Sequence, residues 1–217
     1  MISLPKKIAQ YAFLIIFSLF SIFPLIWMVI AATNKSIDVI RGKMVPGTYL
    51  IENYKALVSQ SDLWHAMGNS FKYSIMVTLL SLIVCSLAGY GFEIYHDKYK
   101  DALMGVILLA MMVPFVATMI PLFGMMAKFG LLNSVAGFVL PSISTPFLIM
   151  LFRQSARSFP HDIIEAARMD GLGEFQIFVR MFFPTMRSTY AAAMTITFMN
   201  AWNNYLWPKV IMNTKES

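Results

Sequence analysis

The sequence predicts an all-α, polytopic bundle of membrane-spanning helices, with one long polar segment set between two of the spans. Three observations predict it. Hydrophobic residues make up 58% of the chain and charged residues only 13%, where a soluble domain carries about 25% charged residues, and the mean hydropathy is +0.66. The apolar residues fall in long runs joined by polar links, as a bilayer about 30 Å thick requires of helices that satisfy their own backbone groups. Residues 160–184 are neither membrane-apolar nor plain loop, and their pattern reads helix, turn, helix.

The formal net charge of +6 would suit nucleic acid in a soluble chain. Here the lysines and arginines sit beside or between apolar runs, so anionic lipid headgroups, not nucleic acid, are their expected neighbours. The single cysteine, Cys85, lies inside an apolar run. It allows no internal disulfide and no cysteine metal site, and reads as a packing residue.

Lys6 and Lys7 precede a first span over about 11–32, only mildly broken by Pro24. The run is longer than the apolar core of about 7–15 residues in a signal peptide, so it is read as uncleaved. Residues 33–68 form an extramembrane loop with short helices, turned at Gly42, Pro46 and Gly47. A second span covers about 69–92, and the short charged link 93–101 forces an antiparallel neighbour. The third, about 102–127, holds Pro114 and Pro121 and is expected as one kinked span packed inside the bundle. The fourth, about 134–152, carries Pro141, Ser142, Ser144, Thr145 and Pro146 and is expected to be bent and protein-facing. Residues 153–187, with Arg153, Arg157, Arg168, Arg180 and Arg187, lead to a fifth span over about 188–207, and Pro208 to Ser217 are polar or mixed. The whole is read as one transmembrane domain.

Within the polar segment, Pro160 suits a first helical position, Ile163, Ile164 and Ala167 share one helix face, and Gly171 stands where a helix C-cap needs positive φ. After the turn, Phe175, Phe178, Met181 and Phe182 recur at helical spacing, and Pro184 is placed to start another helix. The order Glu165-Ala166-Ala167, Gly171 six residues after the Glu, then Met181, Phe183 and Pro184, resembles the EAA loop of bacterial binding-protein-dependent ABC importer permeases. Asp170 is a common companion in that family, which more often has Ile and Leu where Met181 and Phe183 stand. Without the resemblance, the same residues also suit an amphipathic helix lying on the membrane surface.

Other stretches are similar to the sugar-importer branch of the family, the maltose-type second permease that lacks a large extra periplasmic domain. They are Asn69-Ser70, Met112 to Pro114, Ile120 to Phe123, Gly130 to Asn133, Phe198 to Asn203 and Leu206 to Pro208. The resemblance implies a type I ABC importer permease fold in the bacterial plasma (inner) membrane, with the N-terminus and the 153–187 coupling loop cytoplasmic. Lys and Arg divide almost evenly between the two sides, so the positive-inside rule adds little. It further implies ATPase coupling through Glu165, Ala166, Ala167, Arg168, Asp170, Gly171 and Pro184. The implied partners are a sister permease, cytosolic ATPase subunits, an extracytoplasmic solute-binding protein and a sugar or oligosaccharide substrate. The chain has no Gly-x-x-x-x-Gly-Lys-Ser/Thr phosphate loop, so it is read as no enzyme and as binding no cofactor, ATP and Mg being used by the partner ATPase. Family members usually continue through one more span and a short cytoplasmic tail, so a chain lacking the final span is expected.

In the fifth span Asn200, Asn203, Asn204 and Trp207 fall at i, i+3, i+4 and i+7, with Trp202 nearby. Asn200 stands roughly 18 Å along the helix from Ser188, deep enough that unpaired amides would be costly against lipid, so this face should meet other helices or a wet cavity. Amides and an indole suit a polyhydroxylated sugar; the same residues also serve as interhelical glue with Trp202 and Trp207 in an interfacial belt. An ion-coupled secondary transporter would place a carboxylate or histidine within a span, whereas Asp and Glu here stand at boundaries or in loops. A membrane scaffold would explain the hydrophobicity but not the matched loop. His161, Asp162 and Glu165 do not follow a metalloprotease spacing, and His65 and His96 fall in other loops, so these read as solvated polar residues.

Overall fold

A computed structural model describes residues 4–60, 62–95 and 97–212; His96 and the end of the tail lie outside them. All regular structure among the described residues is helical. The chain forms two compact units with the boundary at Met67/Gly68.

The first unit holds α1 (Leu4–Ala32), α2 (Ser36–Ile40) and α3 (Leu50–Gln60). None of the α1 residues is buried, though the helix is long and apolar enough to cross a membrane. Two of its C-terminal carbonyls, which no helical turn can satisfy, accept from side chains further along the chain, Asn34 in the loop and Asn53 in α3. The Asn34 amide donates to Ile30 O and Val45 O, both at 2.9 Å, and the Asn53 amide donates to Ala32 O at 2.8 Å and Asn34 O at 2.9 Å. The loop is thereby folded back on the helix end.

The second unit comprises α4 (Leu63–Ile94, which begins just ahead of the boundary), α5 (Lys98–Ala110), α6 (Phe115–Lys128), α7 (Val135–Val139, extended by a 3-10 turn over Leu140–Ser142) and α8 (Pro146–Ala156). There follow α9 (His161–Met169), α10 (Glu174–Ile177), a π-helical turn over Phe178–Phe182, α11 (Phe183–Thr185), α12 (Arg187–Trp202) and α13 (Leu206–Ile211). Like α1, α4 is long and apolar enough to cross a membrane as one helix; α5 with α6, and α7 with α8, are long enough only as bent pairs. At 16 residues α12 reaches about 24 Å, short of the hydrocarbon thickness.

Two stretches differ from the sequence expectation in their path, and a third, bent as expected, differs in its extent. The run over 102–127 is not one kinked span: α5 and α6 meet at 103°. Val113 precedes a proline and is disfavoured in the α region, and Pro114 has no N–H to continue the ladder. Pro114 instead caps α6 in an extended conformation, while Pro121 is carried inside that helix. The run over 134–152 bends by 47° at residues 143–145, and its second half continues to Ala156, so Arg153 is helical rather than the start of a loop. Carbonyls freed at the bend are met from α4. The Ser81 hydroxyl donates to Ser142 O at 3.2 Å, and the Cys85 thiol to Ile143 O at 3.4 Å, the local satisfaction that a broken membrane helix needs. Finally, the run over 188–207 stops at Trp202. The Asn203 amide turns back to Met199 O at 2.9 Å and Asn204 Oδ1 accepts the Trp207 N–H at 3.3 Å, local bonds by which Asn competes with helix.

Two buried clusters organise this unit. One gathers Val77, Met126, Phe138, Val139, Trp207 and Ile211. The larger lies under residues 153–187, where Phe152, Phe159, Ile164, Ala167, Ile177, Phe178 and Phe182 join Tyr90 of α4 and Tyr190 of α12. The π turn serves this packing: Phe183 N–H reaches back to Phe178 O, five residues away, ahead of Pro184, which has no N–H to give. Phe178 and Phe182 then stand 5.3 and 4.9 Å from the Tyr90 ring, both edge-on.

Candidate functional site

The polar segment forms a helical hairpin. α9 begins after Pro160 and ends at Asp170, with Ile164 and Ala167 buried beneath it. Gly171 follows at φ +79°, and the Leu172 N–H bonds Ala167 O while the Gly171 N–H bonds Arg168 O, each at 3.0 Å. These two bonds are a Schellman closure, which needs a residue in the left-handed region. Space around the Gly171 α-carbon is open, so backbone conformation alone calls for glycine there. The N–H of Gly173 is then met by Gln176 Oε1 at 3.2 Å as α10 begins.

The hairpin is fixed electrostatically at its turn. Arg168 Nε donates to Glu174 Oε1 at 2.7 Å. Arg168, and then the neighbouring Tyr95 from the 93–101 link, hold the Glu174 carboxyl below its ordinary range, and the same carboxylate raises Arg168. Burial, then Glu174, raises the Tyr95 hydroxyl. Neither Tyr95 nor Glu174 carries a signal in a single sequence, because the pairing crosses two separate links.

The outward face of the hairpin exposes Glu165, Ala166, Arg168, Asp170 and Gly171, whereas Ala167 is turned inward and Pro184 is half-buried. Two apolar side chains join that outer face. Met169 is 88% exposed, and Phe175, which helical spacing grouped with the inward Phe178 and Phe182, is 70% exposed. A helix face offering small, charged and uncovered apolar groups together is suited to sit in a partner's cleft. Met169 carries no signal in the sequence because it lies off the apolar stripe of Ile163, Ile164 and Ala167.

The residues expected along the pathway separate into two groups. Asn200 and Asn204 line a cavity of about 510 Å³, with Ser142 and Thr145 from the bend before α8, Thr197 of α12 and Phe115 at the head of α6. Asn203, Trp202 and Trp207 are not among its lining residues. Trp207 is only 1% exposed and belongs to the buried cluster, while Trp202 stacks on Phe198 with ring centroids 5.9 Å apart. The helix break after Trp202 is the cause: the expected continuous face of three amides and an indole ends there. Ser142 and Thr145 were legible as hydroxyls beside helix breakers, but not as partners of the asparagines 55 to 62 residues on. The wall is mostly aromatic and aliphatic with a few converging amides and hydroxyls, a composition common to sites for small solutes.

Comparison with known proteins gives the hairpin and cavity their context. Residues 82–215 match the model of the binding-protein-dependent transport system inner membrane component family. The lactose transport system permease protein LacG of Rhizobium radiobacter is 47% identical over 210 residues, 97% of this chain and 77% of that one. The arabinooligosaccharides transport system permease protein AraQ of Bacillus subtilis strain 168 is 32% identical over 97% of this chain and 76% of its own. The fold is that of a chain in a crystal structure of a bacterial ABC transporter involved in the import of the acidic polysaccharide alginate, with TM-score 0.86 and 24% identity over all of this chain and 78% of that one. With its helical hairpin set among apolar helices and a family match over most of its length, this chain belongs to the binding-protein-dependent transport system inner membrane component family, as an ABC transporter permease.

Proposed function

We propose that this chain is the permease subunit of an ATP-driven importer that carries a sugar or oligosaccharide, delivered by an extracytoplasmic binding protein, across the bacterial inner membrane. The observation that carries the coupling role is the α9–α10 hairpin: its inner face is held by Ile164, Ala167 and Phe178, while Glu165, Ala166, Met169 and Phe175 are offered outward. A separate cytosolic ATPase, using ATP and Mg, grips that outer face, and its closure moves the spans. In this reading the N-terminus and residues 153–187 face the cytoplasm, and a sister permease completes the pore. Asn200 and Asn204, with Ser142, Thr145 and Thr197, line this subunit's share of the path. The sugar class is supported by the names of the relatives above, which transport lactose and arabinooligosaccharides.

The test is co-purification and uptake. The chain is expressed with its candidate sister permease, ATPase and binding protein, and vesicles are assayed for ATP-dependent accumulation of labelled lactose, arabinooligosaccharide and an amino acid as control. Accumulation of a sugar but not the amino acid supports the reading. ATP-independent uptake, or an ATPase that fails to co-purify with the intact subunit, overturns it.

A further inference from the structure

Among the described residues Arg153 is the most buried cation, and it is held by two helices at once. Only 7% exposed, it sits on α8 one turn before the helix ends, with its Nε donating to Glu93 Oε2 of α4 at 3.1 Å and its Nη2 to Asp101 Oδ1 of α5. Glu93 also accepts from Arg157 Nε at 3.2 Å. The two carboxylates bracket the 93–101 link, so one guanidinium fork joins the end of one membrane helix, the start of the next and the base of the polar hairpin. The two bonds come from different nitrogens of one planar guanidinium, Nε and Nη2, a fixed fork that the single ammonium of lysine does not offer.

A second contact lies one turn away on the same two helices. A Cβ added at Gly89 would come within 2.6 Å of Phe152 Cβ, 2.7 Å of Arg153 N and 2.8 Å of Ile149 O. The α4 and α8 backbones therefore touch at Gly89, and Glu93 stands four residues further along the same face of α4. Close backbone contact fixes the separation of the helices; the ion pairs fix their rotation. From Arg153 the chain runs through Arg157 and the buried Phe159 directly into α9.

We propose that Arg153 is a positioning residue that clamps α4, α5 and α8 into one rigid body with the base of the hairpin, so that a displacement of α9 is delivered to the pore helices without slack. The proposal rests on reading α9 as the ATPase grip only for its use; the clamp itself is a property of this chain. Burying a guanidinium between two carboxylates is a costly way to gain stability, but removing it leaves uncompensated charge and frees the elements it joins.

The test labels the two exposed positions Tyr99 on α5 and His161 at the start of α9 as cysteines, with spin labels, in the assembled importer, and reads their distance distribution with and without ATP. The expected result is one narrow distribution that ATP does not shift, and one that broadens or splits in Arg153→Met, with Arg153→Lys intermediate. Asp101→Asn, which takes the charge from only the half-exposed arm, gives a milder broadening should Arg153→Met fold poorly. A distribution in the folded variants as narrow as that of the parent, even with a lowered unfolding temperature, would overturn the proposal and leave Arg153 a stability residue. So would a parent distribution that shifts with ATP. Failure of the ATPase to bind the parent would count against the grip alone, since the width of the nucleotide-free distribution still reads the clamp.

Discussion

Arg168 and Glu174 face each other across the Gly171 turn at 2.7 Å, so the two arms of the hairpin are tied together at the point where the chain reverses. The Glu174 carboxyl is held below its usual range, first by Arg168. A depressed carboxylate contributes stability that is fully present above its unfolded value and is lost as pH falls through the lowered folded one. Hairpin order is therefore expected to be constant from neutral pH down to about pH 5 and to loosen below the ordinary Glu range near 4.3. Glu174→Gln abolishes that dependence and, since the pair is partly exposed, raises local opening by roughly twofold to fivefold at neutral pH. Hydrogen exchange of the 168–176 amides, corrected for intrinsic rates, measures both.

Gly171→Ala places a side chain at φ +79° with open space around it, so the cost is backbone strain of about 1–2 kcal/mol and no clash. Gly171→Pro adds a ring that forces negative φ and removes the N–H bonded to Arg168 O. The expected order of hairpin protection is parent, then alanine, then proline. In a complete importer, Gly171→Pro is expected to reach the membrane yet lose ATP-driven uptake; uptake per assembled complex equal to the parent would remove the turn from the coupling role.

The hairpin was legible in the sequence because a single residue, Gly171, both stops one helix and permits the reversal, a rule that acts within six residues. Pro114 was ambiguous for the opposite reason. The same residue kinks a helix or begins a new one, and uninterrupted hydropathy over 102–127 favoured the first, whereas the chain takes a 103° turn. Asn203 and Asn204 were equally double-edged, since an asparagine either lines a helix face or ends the helix by bonding its own backbone. Arg153 looked like one basic residue at a loop margin because its partners, Glu93 and Asp101, lie 60 and 52 positions away.

Gly89 and Gly91 make an internal control. A methyl at Gly89 meets the α8 backbone, whereas nothing lies within 4 Å of one at Gly91. Gly89→Ala should push α4 from α8 and destabilise the protein by about 1–3 kcal/mol, while Gly91→Ala should be neutral or slightly stabilising. Thermal unfolding in detergent compares them, and an equal response would mean that the close crossing carries no energetic weight.

Cys85 is fully buried with its thiol against the carbonyls of the α7–α8 bend, so maleimide should leave it unlabelled from either side of the membrane until the protein unfolds. Ser81→Ala removes the donor to Ser142 O and should cost about 1 kcal/mol, the usual loss for an orphaned buried carbonyl. If the Ser81 bond is what holds the bend over Cys85, that variant also raises Cys85 labelling. Unchanged labelling would show that the bend holds without the Ser81 bond.

Asn200 and Asn204 share a cavity but do different work, and paired substitutions separate the two. Asn204 Oδ1 accepts the Trp207 N–H, so Asn204→Ala frees the start of α13 as well as altering the wall. Asn200 is exposed into the cavity from the body of α12, and Asn200→Leu changes its chemistry without touching a helix end. If solute passes here, Asn200→Leu should raise the KM of uptake severalfold with assembly intact, the loss expected when one hydrogen bond to a hydroxyl, about 0.5–1.5 kcal/mol, is withdrawn. Asn204→Ala should lower both uptake and thermal stability. An Asn200→Leu importer with unaltered KM would assign the cavity to helix packing and move the solute path onto the sister permease.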